Sequence, residues 1–216
     1  MTSRLAQLAR TSPGGGSPQA EEERCDLCGE PLPEEHRHMV DVERQRILCA
    51  CRACTVLFDR RGAGGRHFRL LPERRRLVTG FRLEDERWAA FGIPVGLAFF
   101  FRSSAAGRVV CFYPSPAGAT ESLLDLSAWE ALAADNPVLA SLEADVEALL
   151  LDRRGDDPAA YLVPIDDCYA LVGLIRSRWR GFGGGEAWAG IGGFFDGLRA
   201  RSESVTPDDK EVPCPT

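Results

Sequence analysis

The sequence predicts an α+β protein built as a small metal module followed by a larger domain with an antiparallel sheet and about four helices. Two C-x2-C pairs with 22 residues between them lie near the amino terminus. Apolar runs typical of paired strands follow, rich in Val, Phe and Tyr. Helical and strand-like segments then mix without the regular βαβ alternation of a parallel sheet, which favours an antiparallel one.

Composition excludes several classes of protein. The chain has 216 residues, 44% of them hydrophobic, with a formal net charge of −6, as expected of a globular protein. Its most apolar run, Val95–Phe101, is far shorter than the roughly 20 residues of a membrane-spanning helix, and Met1–Arg10 lacks the apolar stretch of a secretory signal. We therefore expect a cytoplasmic protein without membrane insertion. In that compartment its eight cysteines indicate metal or thiol chemistry, not disulfides.

Shifts in composition set the expected boundaries. Residues 11–24 combine turn formers with charge, as flexible linkers do, and residues 202–216 are polar and contain three prolines. The predicted divisions are a disordered or partly helical segment and linker (1–24), a zinc-binding module (25–59), a basic connector (60–76), an α+β domain (77–201) and a disordered tail (202–216).

The strongest chemical signal is the pairing of Cys25 with Cys28 and of Cys51 with Cys54. Two residues between cysteines let both sulfurs reach one ion at about 2.3 Å, so this spacing predicts a tetrahedral thiolate site. Gly29 permits the positive φ that turns backbone N–H groups toward the sulfurs. We predict that these four cysteines bind a structural Zn²⁺.

The segment between the pairs supports the same site. Met39–Val42 and Arg46–Cys49 can pair as a hairpin around Glu43–Gln45, and Cys51–Asp59 can form a short helix. A cysteine turn, a hairpin and a helix that carries the second pair resemble the treble-clef zinc fold. A rubredoxin-like single iron is the alternative, because four thiolates bind iron or zinc in similar geometry.

Three further residues of the module leave alternatives open. Cys49 is interpreted as a strand cysteine that packs as a small hydrophobic residue. Two alternatives remain open: Cys49 replaces Cys51 as a metal ligand, or it belongs to an iron–sulfur site. His36 and His38 are predicted to be solvent-exposed turn residues, since four cysteines already saturate zinc.

The first elements of the larger domain are predicted from apolar patterns and turn residues. Val95–Arg102 and Arg108–Tyr113 flank a turn-like segment and predict a hairpin covered on both faces. Ser127–Glu130 has capping-box spacing and predicts a helix toward Ala134. Pro137 and the spacing of the leucines after it predict another helix through about Leu151.

The remaining elements follow the same logic. Tyr161–Pro164 predicts a short strand, after which Asp166 or Asp167 can cap a helix that a glycine run ends. A last amphipathic helix is expected from Glu186 to about Arg201, with Trp188 among its inward residues. Cys111 and Cys168 are expected to pack in the core, and Cys214 to be an exposed thiol in the tail.

Charge is distributed unevenly. Residues 1–80 carry 14 Lys+Arg and 11 Asp+Glu, whereas residues 81–216 carry 12 and 21. Seven arginines between residues 60 and 76 suggest a nucleic-acid hypothesis, because arginines neutralise phosphates. The acidic pI of about 5.2 and the lack of interleaved aromatic residues weigh against it. The basic strip can equally pair with the acidic second domain of the same chain.

No catalytic signature is present in the sequence. It contains no H-E-x-x-H, no Walker A loop and no G-x-G-x-x-G after a strand. These absences favour a non-catalytic protein over an enzyme.

Three stretches carry a family resemblance: Cys25–Phe58, Phe112–Ser122 and Tyr161–Gly181. Together they resemble an uncharacterised family of actinobacterial-type proteins, often encoded beside high-affinity nickel–iron hydrogenases. The resemblance implies an accessory, assembly or electron-relay role, with a hydrogenase subunit or its maturation machinery as the protein partner.

Two parts of the larger domain are candidate partner surfaces. Pro114 and Pro116 lie in a stretch expected to connect a strand to a helix, either as a binding loop or as a rigid connector. Trp179, Arg180 and Trp188 surround the glycine run, and tryptophan and arginine are common interface anchors. The sequence thus favours a zinc-binding accessory protein that acts by protein–protein contact.

Overall fold

The computed structural model describes residues 23–58, 67–122, 126–155, 157–178 and 185–209. The segments outside these residues include the amino terminus through residue 22, residues 59–66 at the start of the arginine-rich connector, residues 179–184 with most of the glycine run, and Cys214. In the described part the α+β class is confirmed, with five α-helices, one short 3-10 helix and ten strands.

The cysteine-rich segment forms a small three-stranded sheet with a helix beside it. The hairpin predicted here is confirmed, and its two strands are antiparallel, with His38 opposite Cys49. A third strand joins from the connector, which places that part of the connector in the module's sheet. The elements are β1 (Arg37–Asp41), β2 (Arg46–Ala50), α1 (Arg52–Phe58) and β3 (Phe68–Leu70).

The larger domain is a seven-stranded sheet with strand order β10-β4-β9-β8-β5-β6-β7. All neighbours are antiparallel except β10 and β4, which pair in parallel. Its strands are β4 (Arg76–Val78), β5 (Leu97–Ser103), β6 (Arg108–Ser115), β7 (Gly118–Ser122), β8 (Glu147–Asp152), β9 (Ala159–Pro164) and β10 (Glu203–Val205). Its helices are α2 (Asp85–Ala90), α3 (Leu126–Asp135), the 3-10 helix (Pro137–Ser141), α4 (Ile165–Arg178) and α5 (Gly185–Ala200).

Both faces of this sheet are covered, as expected for its nearly all-apolar strands. Strand side chains alternate between two cores, so that Phe99 belongs to one and its neighbour Phe100 to the other. Helices α4 and α5 cover the Phe99 face, while α3 and the 3-10 helix contribute to the Phe100 face. Val40 of β1 packs in the Phe99 core, so the small sheet lies against the α4 side of the domain.

The prediction of a helix from Pro137 to Leu151 is wrong. Pro137 begins a 3-10 helix that ends at Ser141, and Asp145 has a φ of 64°, which an α-helix does not accommodate. Strand β8 follows, with Leu149, Leu150 and Leu151 all almost fully buried. A strand covered on both faces can be apolar at successive positions, and the leucines of this run also match helical spacing.

The prediction of a disordered tail is also wrong for residues 202–209, the part of the tail that the structure describes. Strand β10 pairs with β4, and Thr79 N–H donates to Val205 O at 2.9 Å. The stretch around Pro114 and Pro116 is a hairpin between β6 and β7, not a strand-to-helix loop. Gly118, with a φ of 126°, follows its turn. The hairpin of β5 and β6, the strand β9, and the helices α3, α4 and α5 confirm the predictions made for them.

Within the described residues, no helix combines the length and the apolar character needed to cross a bilayer.

Candidate metal centre

The first cysteine pair lies on a tight turn. Gly29 N–H donates to Cys25 O at 2.8 Å, and Cys25 N–H donates to Glu30 O at 2.8 Å. Gly29 has a φ of 77°, in the left-handed region that glycine adopts at little cost. This turn places the side chains of Cys25 and Cys28 on the same side of the chain, as the sequence predicts.

The second pair lies where β2 passes into α1. Cys51 directly precedes α1, and Cys54 lies in its first turn. Thr55 N–H donates to Cys51 O at 3.0 Å, and Cys54 N–H donates to Cys51 Sγ at 3.5 Å. The start of the helix thus fixes both sulfurs of the pair relative to each other.

The four sulfurs converge. One ligand atom from each of Cys25, Cys28, Cys51 and Cys54 lies within 4.8 Å of the others, and the Sγ atoms of Cys28 and Cys51 are 3.6 Å apart. Four sulfurs placed tetrahedrally at about 2.3 Å from one ion are about 3.8 Å apart, so the spacing fits a mononuclear thiolate site. Cys25 and Cys54 are buried and Cys28 is exposed, which places the cluster at the module's surface.

The thiols of the cluster have divergent acidities. Burial opposes ionisation of Cys25, but hydrogen bonds from the backbone of Cys51, Leu27 and Cys28 outweigh it and lower its pKa to about 6. Burial raises the pKa of Cys54, and its hydrogen bonds with Cys28 and Cys51 raise it further. Thiolates at this spacing repel one another, so a bound cation is needed for all four to ionise.

Asp26 connects the first turn to the hairpin. Its backbone N–H donates to Cys49 O at 2.9 Å, and its carboxylate accepts from Cys49 N–H at 2.7 Å. These hydrogen bonds hold the turn of the first cysteine pair against β2, the strand that leads to the second pair, with or without a shared ion.

The structure places Cys49 outside the four-sulfur cluster and in a second group. One ligand atom from each of His36, His38 and Cys49 lies within 4.8 Å of the others. The expectation that both histidines are exposed turn residues is wrong, because the side chain of His36 is 7% exposed and His38 is a strand residue. His38 is 32% exposed and lies in β1. The sequence signal for this group is the pair His36 and His38, separated by one residue at the start of a predicted strand, with Cys49 in the strand predicted to pair with it.

Neighbouring carboxylates and burial shift the pKa values of His38 and Cys49 in this second group. A hydrogen bond with Asp166 raises the pKa of His38, even though burial of the ring acts in the opposite direction. Burial raises the pKa of Cys49, and the nearby carboxylate of Asp26 adds to this effect.

The described arginines of the basic strip are occupied by acidic groups of the larger domain. Ion pairs join Arg69 to Glu143 at 3.1 Å, Arg74 to Glu147 at 2.7 Å and Arg75 to Asp167 at 2.6 Å. These contacts follow the intramolecular alternative drawn from the charge distribution, and they remove cationic side chains from a phosphate-binding surface.

The predicted partner-binding residues differ in position. Pro114 is buried within β6, Pro116 is exposed at the hairpin turn, and Trp179 and Arg180 lie outside the described residues. Trp188 was expected to face inward, but it is 48% exposed, with the Arg154 guanidinium 6.0 Å from its ring centre. Cys111 and Cys168 are fully buried in the core, as predicted.

Comparison with known proteins gives a family but no activity. The model of a family of unknown function, DUF5947, matches residues 24–202, which include both groups of candidate metal ligands. No curated protein and no solved structure matches the chain.

Proposed function

The chain belongs to the DUF5947 family, and we propose that it is a non-catalytic zinc-binding accessory protein that acts by contact with another protein. The observation that carries the proposal is the convergence of four cysteine ligand atoms within 4.8 Å. A tetrahedral cluster of four thiolates is typical of structural zinc sites, which have no open coordination position for a substrate.

We assign the metal to a treble-clef-type module. The order of the cysteine turn, the β1–β2 hairpin and α1 supports this assignment, since one pair of ligands precedes the hairpin and the other follows it. The core around the cluster is small, with Met39 and Ala50 beside Cys25 and Cys54. Such a core provides limited hydrophobic stabilisation, so ion binding is expected to contribute directly to folding of the module.

Contact with a partner is supported by the outer face of α1. Val56 is 61% exposed and Leu57 57% exposed, one helical turn or less from Cys54. Adjacent exposed apolar side chains on a rigid, metal-anchored helix are a suitable contact surface for another protein.

We place this contact in nickel–iron hydrogenase assembly or maturation, which is the setting that the family resemblance implies. Deleting the gene and measuring hydrogen uptake tests the setting. Loss of uptake that the wild-type gene restores supports it, and unchanged uptake removes it.

Elemental analysis of freshly purified Cys28→Ser protein tests the metal centre. We expect the variant to lose one equivalent of zinc relative to wild type, because three thiolates hold the ion less tightly than four. Cys111→Ser is the matched control, since Cys111 is a buried cysteine outside both ligand groups. If Cys28→Ser and Cys111→Ser contain the same amount of metal, the centre is misassigned.

The visible spectrum of the same preparations separates zinc from iron. A colourless wild-type protein with zinc supports the structural role. A red protein in which iron replaces zinc would instead support a rubredoxin-like electron relay, because four thiolates bind either metal.

A further inference from the structure

The β1–β2 hairpin carries a second convergent set of ligands on the face opposite the cysteine cluster. On one face, Met39 and Ala50 pack with Cys25 and Cys54. On the other, Val40 and Ile47 pack against the core of the larger domain. Because side chains alternate along a strand, His38 and Cys49 share the face of Val40 and Ile47.

His36 lies two residues before His38 and brings its ring to the same place. The ring centres of His36 and His38 are 5.0 Å apart at an interplanar angle of 83°. With Cys49 opposite His38 in the strand register, two imidazoles and a thiol meet within 4.8 Å.

Nε2 of His36 is a buried polar atom without a hydrogen-bond partner among the described residues. The side chain is 7% exposed, so solvent does not compensate for this. A buried polar atom without a hydrogen-bond partner destabilises the folded protein. Such an atom, on a ring that lies beside a second imidazole and a thiol, indicates a missing partner at that place.

Hydrogen bonds orient both rings. His36 Nδ1 lies 3.0 Å from Pro33 O, which can only accept, so Nδ1 carries the proton. In the neutral ring, Nε2 then has its lone pair free to bind a metal. His38 Nδ1 lies 2.8 Å from Asp166 Oδ2, which fixes that ring in the same way. A histidine that donates one ring N–H to a carbonyl or carboxylate is the usual arrangement of a metal ligand.

We propose that His36, His38 and Cys49 form a second metal site, distinct from the four-cysteine cluster, which binds an exchangeable divalent ion of the zinc type. Two imidazoles and a thiolate suit Zn²⁺ and its neighbours in the first transition row, and do not suit Mg²⁺ or Ca²⁺. Three protein ligands leave one coordination position open. His38 is 32% exposed, so solvent or a ligand can reach this side of the site.

The surroundings support an exchangeable ion in place of a purely structural one. A cleft of about 640 Å³ is lined by His36 and by Cys51, so one residue from each ligand group borders the same opening. The hairpin is already held by the four-cysteine cluster and by packing on the larger domain. Folding therefore does not require a second ion.

Metal content at saturation tests the second site. The full-length protein is equilibrated with excess Zn²⁺, freed of unbound metal by gel filtration and analysed. We expect two equivalents in wild type and one in His36→Gln, His38→Gln and Cys49→Ala. His67→Gln is the matched control and should keep two, because His67 is an exposed histidine paired with Glu43 outside the site.

Titration with Co²⁺ adds a readout of the ligands themselves. Cys49→Ala should remove sulfur-to-cobalt absorption from one equivalent only, leaving that of the four-cysteine cluster. Should His36→Gln fail to fold because the ring is buried, His38→Gln and Cys49→Ala still carry the test.

The outcomes separate this proposal from the proposed function. One equivalent in wild type, lost in Cys28→Ser but kept in His38→Gln and Cys49→Ala, overturns the second site and leaves the first intact. Two equivalents in wild type that fall to one in Cys28→Ser and to one in His38→Gln support both. Two equivalents in every histidine variant would show that the second ion binds elsewhere.

Discussion

The imidazole of His38 and the carboxylate of Asp166 lie 2.8 Å apart although 128 residues separate them in sequence. His38 belongs to β1 of the cysteine-rich segment, and Asp166 lies in the first turn of α4. The pair therefore joins the hairpin that lies between the two cysteine pairs to the larger domain. Because Asp166 Oδ1 also accepts from Asp167 N–H at 3.0 Å, the carboxylate is held from both sides.

Asp166→Ala is expected to destabilise this junction. Hydrogen bonds that involve a charged group contribute about 1.5–3 kcal/mol when they are shielded from solvent, and the two side chains here are 32% and 21% exposed. We expect the free energy of unfolding in urea to fall by about 1 kcal/mol or more.

Glu43→Ala is the matched control for that substitution. It breaks a histidine–carboxylate pair of similar length, His67 with Glu43 at 2.7 Å, whose side chains are 48% and 65% exposed. Exposed pairs contribute about 0–1 kcal/mol. Equal losses in Asp166→Ala and Glu43→Ala would contradict the idea that the junction pair is a structural link.

Glu147 is the buried centre of the arginine network. Its side chain is fully buried, and its carboxylate accepts from Arg74 at 2.7 and 2.9 Å and from the Glu143 backbone N–H at 3.0 Å. Arg76, almost fully buried, lies 3.6 Å away. Glu147→Gln removes the negative charge that faces Arg74 and the buried Arg76, so we expect a loss of about 3–5 kcal/mol in the free energy of unfolding.

The control for Glu147 is an exposed pair of the same chemistry. Arg108 and Glu121 lie 2.8 Å apart, with side chains 42% and 45% exposed. Glu121→Gln should change the free energy of unfolding by at most about 1 kcal/mol. A small effect for Glu147→Gln as well would mean that solvent reaches the network.

Strand and helix identity was predictable where pattern and length agreed. The sequence of the β5–β6 hairpin, two aromatic-rich runs around a turn, indicates paired strands and nothing else. The segment after Pro137 has two, because leucines at Leu139, Leu142 and Leu149 match helical spacing while they belong to a 3-10 turn and a two-faced strand. What decides between them is the burial of both faces of β8, which only the assembled sheet provides.

The four-cysteine cluster was predictable because spacing along the chain determines which sulfurs meet. The second group was missed, since the strand register that sets His38 opposite Cys49 is not determined by spacing along the chain. A one-residue shift of that register would point Cys49 to the other face. Asp166, which orients His38, lies 128 positions further along the chain, so no local pattern relates the two residues.

Asp41 predicts a specific dependence of stability on pH. Burial opposes ionisation of Asp41, but hydrogen bonds from the Arg44 backbone and guanidinium outweigh it and hold its pKa below the ordinary 3.8. A carboxyl whose pKa is lowered by folding stabilises the protein above its unfolded pKa, and this contribution is lost as the pH falls through the folded pKa. Wild type should therefore exceed Asp41→Asn in unfolding free energy at pH 7 and lose that advantage below pH 3.8.

Urea unfolding of both proteins between pH 7 and pH 3 measures this difference. Any release of metal in acid affects both proteins, so the difference between them isolates Asp41. A constant difference across the range would show that the Asp41 side chain acts through its shape in the turn and not through its charge.

The exposed apolar face of α1 gives the prediction that joins the metal centre to the proposed contact. Val56→Ser and Leu57→Ser remove side chains that are 61% and 57% exposed, so neither should change metal content or thermal stability appreciably. If this face contacts a partner in hydrogenase assembly, the double variant should fail to restore hydrogen uptake to a deletion strain. Val95→Ser, at an exposed valine on the larger domain, should restore it fully. Full restoration by the α1 double variant, at unchanged metal content, would mean that the exposed face of α1 is not needed and that the contact lies on another surface.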